Sequence, residues 1–299
     1  MSSPSFLSTC NETPVSTTNH HAMPGKKGIG LVLKVKSNQP DESTLQLNLK
    51  RILALQLSWN YSWNSVRVPE QSPCTEFVPM IWGARGGGEG EAGIRQKIEH
   101  DVIPQYKSGL VHRLLAFNEP DVKTQSNLSV DQVISYWPIL QESGIPLASP
   151  SAGHALGDWM QQFMTKVKSN GLRVDYVAMH WYKNPNPERF KSDIMEVYHR
   201  YGKRPILVTE FAPADWTACT SNENKYTPQQ VLAFAKEVLP WLERQKFVEG
   251  YAWFPFRPSS AAGTSSALFV EDYSETLTAL GRYYASVTPS TPDGDQSIE

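Results

Sequence analysis

Short apolar runs alternate with longer amphipathic segments along most of the chain. Eight runs read as strands: Gly28–Lys34, Leu55–Trp59, Phe77–Trp82, Leu114–Asn118, Pro146–Pro150, Tyr176–Trp181, Ile206–Phe211 and Gly250–Phe254. The segments between them carry apolar residues at helical spacing. Asp41–Leu53 opens on an acidic cap and holds Leu45, Leu47, Leu49 and Ile52. Ser129–Leu140 begins Ser-Val-Asp-Gln, the pattern of a capping box. Asp158–Asn170, Arg189–Tyr201, Thr227–Gln245 and Ser274–Ala285 complete the predicted helices. Strand and helix alternate without a break in composition, which predicts an α/β fold, a single (β/α)8 TIM barrel over residues 27–287. An open doubly wound sheet is the alternative. The count of eight, with functional-looking residues at the end of nearly every strand, favours the barrel. Residues 1–26 and 288–299 are polar, rich in Pro, Ser and Thr, and non-periodic, and are expected to be disordered or loosely attached tails.

Composition narrows the partners. The chain has 299 residues, room for one barrel of about 250 residues and its tails. Net charge is −2 with no long basic run, so neither nucleic acid nor an acidic membrane surface is expected as a partner. No apolar stretch is long enough to span a membrane, and Met1–Gly25 lacks the features of a signal peptide. Either the protein is not secreted by that route, or a signal was removed and a start Met supplied. Cys74 precedes a predicted strand and Cys219 lies well past the end of another, on opposite faces of a barrel. A Cys74–Cys219 disulfide is therefore not expected, and free thiols, Cys10 included, are the default. The sequons at Asn11 and Asn127 point towards secretion; the one at Asn60 sits at a strand end beside Trp59, where a glycan would crowd the mouth. Nothing marks self-association, and a monomer is expected.

Two glutamates carry the candidate chemistry. Glu119 ends the run Leu114-Leu115-Ala116-Phe117-Asn118, and Glu210 ends Ile206-Leu207-Val208-Thr209. A carboxylate at the mouth of a buried strand is costly as structure and useful as chemistry. Each alone could be a structural strand- or helix-end acid. Together, on the fourth and seventh strands, they can face one another across a barrel mouth as the carboxylate pair of a glycosidase. Asn118 sets an amide beside Glu119, able to hold a sugar 2-hydroxyl, and Pro120 bars an immediate helix.

Asn-Glu-Pro after strand four with Thr-Glu-Phe on strand seven resembles clan A of the glycoside hydrolases. More narrowly, residues 27 to 286 resemble glycoside hydrolase family 128, the β-1,3-glucanases. Gly28-Ile29-Gly30, Phe77-Val78-Pro79-Met80-Ile81-Trp82-Gly83, Phe117-Asn118-Glu119-Pro120-Asp121, Ala148-Ser149-Pro150 and Val177-Ala178-Met179-His180-Trp181-Tyr182 carry the likeness. The resemblance implies a retaining hydrolase of β-1,3-glucan without cofactor, with Glu119 as acid/base and Glu210 as nucleophile. A polymer substrate in turn implies secretion or cell-wall residence. While Glu210 is ionised, its charge favours a protonated Glu119; once Glu210 carries the sugar, Glu119 can take a proton from water. The resemblance also puts Trp253 under the cleavage subsite and Tyr182 against Glu210.

Aromatic residues gather near the predicted strand ends. Trp59, Trp63, Trp82, Trp181, Tyr182, Trp216 and Trp253 lie at C-terminal ends or in the loops beyond, whereas Trp137, Trp159 and Trp241 fall in predicted helices and read as packing. Indole faces stack on the C–H faces of pyranose rings, so Trp59, Trp63, Trp82 and Trp181 are candidates to grip sugars. His180 is expected to bond sugar hydroxyls or orient a carboxylate. No compact His/Asp/Glu/Cys set has zinc spacing, and His20-His21 is too sparse for a metal site. Gly88-Glu89-Gly90-Glu91-Ala92-Gly93 matches a dinucleotide fingerprint, but Glu89 and Glu91 would repel a pyrophosphate; it reads as a loop bordering the groove, with Arg85 pairing those glutamates. Two rivals stand beside the hydrolase reading: a β-1,3-glucan oligosaccharide-binding protein on the same fold, and a clan A hydrolase of another β-linkage.

Overall fold

The computed structural model describes residues 25–33, 35–36, 39–84 and 90–289. Its strands are β1 (Lys27–Gly30), β2 (Val35–Lys36), β3 (Gln39–Pro40), β4 (Trp59–Tyr61), β5 (Glu76–Phe77), β6 (Val177–Trp181), β7 (Ile206–Phe211) and β8 (Val248–Trp253). Its helices are α1 (Glu42–Leu55), α2 (Glu91–Lys97), α3 (Ile103–Lys107), α4 (Val130–Glu142), α5 (Asp158–Ser169), α6 (Pro187–Arg200), α7 (Pro228–Arg244) and α8 (Ala279–Ser286). Six strands form a parallel sheet in the order β5-β4-β1-β8-β7-β6, and β2 and β3 make a small antiparallel hairpin. Parallel bridges Met80–Leu115, Leu114–Leu147 and Ala148–Tyr176 run on from β5 towards β6 through the segments around residues 114–118 and 147–151. The result is an α/β architecture of TIM-like type.

Side-chain alternation sorts the core into two layers. Trp59, Tyr61, Met80, Leu115, Ala178, Leu207 and Ala252 belong to one buried cluster, the inner face of the sheet. Ile29, Ala116, Val177, Met179, Trp181, Val208, Tyr251 and Trp253 belong to the other, which includes the inward faces of the helices. Two glycines of β1 make room for large rings: a Cβ at Gly28 would lie 2.2 Å from Trp59, and one at Gly30 would lie 2.5 Å from Trp63. Lys26 Nζ donates to the carbonyls of Leu242, Glu243 and Gln245 at the end of α7, and Lys27 Nζ to those of Tyr284, Ala285 and Val287 at the end of α8. Both lysines thus place a cation at the carbonyls of a helix C-terminus, where the helix dipole favours it. Burial lowers Lys27 to about 8, against the pull of Glu243.

Several expectations are corrected. The second strand is Trp59–Tyr61, not Leu55–Trp59, because α1 keeps its apolar stripe through Leu55 and ends at a left-handed Gln56. Helical residues Glu91–Lys107, with a π-helical turn at Ile98–Val102, occupy a stretch where the hydrophobic pattern predicted no element. Lys26, assigned to the tail, is anchored on α7. Cys74 is disulfide-bonded, against the free-thiol expectation; Cys219 is free and exposed. Asn60 is buried in β4, which bars a glycan there, whereas Asn127 is exposed. The capping boxes of α4 (Ser129 with Gln132) and α7 (Thr227 with Gln230) are both formed. Cys10, Asn11, His20-His21, Arg85, the glycine run at 86–88 with Glu89, and most of both tails lie outside the described residues. Among the described residues no helix is long and apolar enough to cross a membrane.

Candidate active site

Glu210 sits near the end of β7, and a bulge puts it there. Met179 pairs with Val208 and His180 with Glu210, so Thr209 is an extra residue on β7. Strict alternation would turn Glu210 outwards after Thr209, whose hydroxyl meets Ser151 in the interior at 3.0 Å. The bulge re-aims it, as bulges beside functional sites do. Glu119 follows the fourth strand segment with φ +41, a left-handed conformation that a non-glycine residue adopts only under local constraint. Its N–H donates to the Ser151 carbonyl at 2.9 Å, and Pro120 fixes the exit.

The two carboxylates meet at His180. Nδ1 of His180 lies 2.9 Å from Glu119 Oε1, and Nε2 lies 3.4 Å from Glu210 Oε1. One oxygen of each glutamate and a ring nitrogen of His180 fall within 4.8 Å of one another. Burial alone would depress the imidazole, but the charges of Glu210 and Glu119 outweigh it and raise it above its usual value. Glu210 is otherwise held by uncharged donors. Trp63 Nε1 donates to Oε1 at 2.8 Å, Tyr61 OH donates to the same oxygen at 3.2 Å, and Tyr182 OH donates to Oε2. Burial, then the Glu210 charge, lifts both phenols well above the ordinary tyrosine range, so both stay protonated donors. The trio Glu119, His180 and Glu210 has the spacing of a cation site. Yet both Glu210 oxygens already accept from O–H or N–H groups, an arrangement that serves a hydrogen-bonded carboxylate better than a metal ligand.

The remaining candidates divide. Asn118 is buried beside Glu119, its Nδ2 bonded to Gln125 Oε1 at 3.3 Å and its Oδ1 without a partner among the described residues. Trp82 is half-buried on the edge of the inner cluster. Trp59 and Trp253, however, do not face the mouth, and Trp181, although it touches the cavity beside Glu119, is buried and turns towards α6. Trp59 fills the interior lower down, its Nε1 on the Lys26 carbonyl at 2.9 Å. Trp181 packs against Phe190 and Phe234 with its Nε1 on Asp193. Trp253 is fully buried among Phe211, Phe234 and Tyr284, its Nε1 on the Ser266 carbonyl. Their expected role as sugar platforms is corrected by strand alternation: Ala252 faces inwards, so Trp253 faces the helices and Phe254 turns to the mouth. Phe254 in fact meets Trp63 at 6.0 Å and Tyr182 at 5.4 Å.

Phe254 and Tyr61 are the site residues that the sequence reading missed. Tyr61 was lost with the misplaced second strand, and Phe254 with the choice of Trp253 as the mouth-facing ring. A cavity of about 530 Å³ opens beside Glu119, walled by His154, Leu156, His180, Tyr182 and the exposed Trp216. Asp121 fixes its far rim by accepting from the backbone N–H groups of Gly153 and His154.

The model of the glycosyl hydrolase catalytic core matches residues 30–284. A subgroup I endo-β-1,3-glucanase of family 128 from Amycolatopsis mediterranei, crystallised with laminaritriose, superposes with a TM-score of 0.68 at 29% identity, over 87% of this chain and 98% of that one. A subgroup III curdlan-specific exo-β-1,3-glucanase from Blastomyces gilchristii superposes at 0.61 with 26% identity, over 88% and 98%. A subgroup VII oligosaccharide-binding protein from Trichoderma gamsii shares the fold at 0.61 and 20% identity, over 91% and 96%. No curated protein matches the chain. The chain belongs to the glycosyl hydrolases of the catalytic-core family and, within them, to glycoside hydrolase family 128.

Proposed function

We propose that the protein hydrolyses β-1,3-glucan with retention of configuration, Glu210 as nucleophile and Glu119 as acid/base. One observation carries the reading: the two glutamates bring oxygens within 4.8 Å of each other, around His180, at the mouth of the sheet. Retaining pairs stand about 5–5.5 Å apart, while inverting pairs leave roughly 6.5–9.5 Å for a water. Relatives crystallised with laminari-oligosaccharides support the substrate class. The parallel bridges beyond β5 support the finer fold reading, a closed (β/α)8 barrel with the pair at its C-terminal mouth.

In the first step an oxygen of Glu210 bonds the anomeric carbon while the glycosidic C–O bond breaks. Its electron pair leaves with the departing oxygen, which takes the Glu119 proton. In the second step water attacks the same carbon and gives its proton to Glu119, and the bonding pair returns to the Glu210 carboxylate. Asn118 is placed to meet the hydroxyl next to the reacting carbon. Trp82, Trp216 and Phe254 offer apolar faces to the sugars. The protein acts as a monomer outside the cell or in the cell wall, a location supported by the disulfide at Cys74.

The test is product analysis on laminarin and defined β-1,3-gluco-oligosaccharides, with NMR of the first anomer released. Wild type should give the β-anomer, and Glu210→Gln should lose activity by about 10³-fold or more. Wild-type turnover in Glu210→Gln would remove the nucleophile assignment. Tight oligosaccharide binding by a wild type that hydrolyses nothing would turn the reading to a binding protein.

A further inference from the structure

Trp63 was expected to grip a sugar, but its polar edge is turned onto Glu210. It stands just past β4 with φ +55, a conformation that a tryptophan holds only when its surroundings impose it. Those surroundings are specific. Gly30 opposes the far edge of the indole, where a Cβ would come within 2.5 Å of Cη2 and 2.9 Å of Cζ2. Tyr61 packs edge-on at 4.8 Å between ring centres, and Phe254 closes the other side at 6.0 Å. The ring is held so that Nε1 reaches Glu210 Oε1 at 2.8 Å.

The two oxygens of Glu210 are then unlike. Oε1 accepts from Trp63 and Tyr61, with His180 Nε2 at 3.4 Å. Oε2 accepts from the Tyr182 hydroxyl, which sits in the wall of the open cavity. An indole N–H donates only; it neither accepts from a sugar hydroxyl nor titrates.

We propose that Trp63 is the positioning residue of the nucleophile: it holds Oε1 as the non-attacking oxygen throughout the reaction and leaves Oε2 to bond the sugar. The inference rests on the retaining reading of the Glu210 site. When Oε2 forms the bond to the anomeric carbon, the glycosidic bond breaks with its pair going to the leaving oxygen, protonated by Glu119. The new ester then has its carbonyl at Oε1, still accepting from Trp63. On deglycosylation the Oε2–carbon pair returns to the carboxylate, and Oε1 again shares the negative charge. A donor fixed before the reaction stabilises both forms without reorganising.

The experiment compares wild type with Trp63→Phe on laminarin and laminaripentaose, and with Trp63 exchanged for its benzothiophene isostere, which keeps the ring shape and lacks only the N–H. Both changes should lower kcat by about 10²-fold with KM within about twofold. The acid limb of the pH–rate profile should also move to higher pH, read against the other titratable groups that face Glu210: Glu119, His180, Tyr61 and Tyr182. An isostere that turns over like wild type, or a change confined to KM, would overturn the inference and return Trp63 to the sugar platform. Glu210→Gln separates the two levels: turnover surviving in it sinks the parent reading, whereas its loss beside an unaffected isostere sinks only the role of Trp63.

Discussion

The protein buries glutamates at both ends of its sheet and treats them in opposite ways. At the N-terminal ends of the strands, Arg113 is 1% exposed; its Nε lies 3.2 Å from Glu76 Oε1 and its Nη1 3.8 Å from Glu249. The Tyr176 ring lies 5.2 Å from the guanidinium. At the mouth, Glu210 is equally deep, but indole and phenol donors hold it and the neighbouring basic group is a histidine. A guanidinium is always charged and binds a carboxylate as a fixed partner. Neutral donors steady a carboxylate and leave its charge available for a reacting carbon. A cationic partner makes the buried Glu76 structural, whereas neutral donors on both oxygens suit the reactive role proposed for Glu210.

The largest expected contrast is between Glu210→Gln and Arg113→Met. The first removes a charge that uncharged donors were holding, so it should abolish turnover and leave the unfolding midpoint at or above wild type. The second strands Glu76 in the interior, takes a cation from the half-exposed Glu249, and should cost about 3–5 kcal/mol of stability. The folded fraction of Arg113→Met should still turn over laminarin at the wild-type kcat. Denaturant titrations and kcat on the same preparations check both. A stable, inactive Arg113→Met would erase the distinction between the two ends.

Sequence reading reached the mouth through chemistry and lost it through geometry. Glu119, Glu210, Asn118 and His180 were legible because a polar residue closing an apolar run stands out whatever the strand's orientation, and Tyr182 was reached through the family resemblance. Trp181 was assigned to the sugar as a tryptophan near a strand end and Trp253 through the family resemblance, but which face they take depends on register. The register was present in part: His-Trp-Tyr on β6 places Trp181 opposite in sense to His180 and Tyr182 by plain alternation. On β7 alternation fails, and no pattern in Thr-Glu-Phe announces the bulge that turns Glu210 inwards. Tyr61 was lost because Leu55 and Leu57 extend the apolar run without marking where helix gives way to strand. The helical stretch after Gly90 was missed because its apolar residues, Ile94, Ile98 and Val102, are spread thinly among charged ones.

A smaller effect sharpens the line between mouth and core. Trp253→Phe should destabilise the fold by about 1–3 kcal/mol through lost packing and an unmet Ser266 carbonyl, with KM for laminaripentaose unchanged. Phe254→Ala should do the reverse, raising KM about 3- to 10-fold with little change in the melting curve. A KM effect at Trp253 instead would restore the role first expected of it.

The smallest expected effect is in the pH dependence of stability, where the two ends share a sign and differ in origin. His180 is raised above its usual value because the charges of Glu210 and Glu119 outweigh its burial. Its stabilisation is therefore complete below the unfolded value near about 6.5 and fades as pH rises through the folded value. Glu76 is also raised, by burial, with Arg113 opposing. Its neutral form is the favoured one, so its contribution is complete below the unfolded value near about 4.5 and fades above it. The substitutions pull these apart. His180→Gln should remove the mouth's share, so the stability gap to wild type should be wider at about pH 5.5 than at about pH 9. Arg113→Met should do the opposite, because Glu76 without its guanidinium resists ionisation further, and the gap to wild type should widen as pH rises from about 4 to 7. Chemical denaturation from about pH 4 to about pH 9 reads both. Parallel gaps in the two variants would mean that the same electrostatics governs both ends, and that uncharged donors are not what sets the mouth apart.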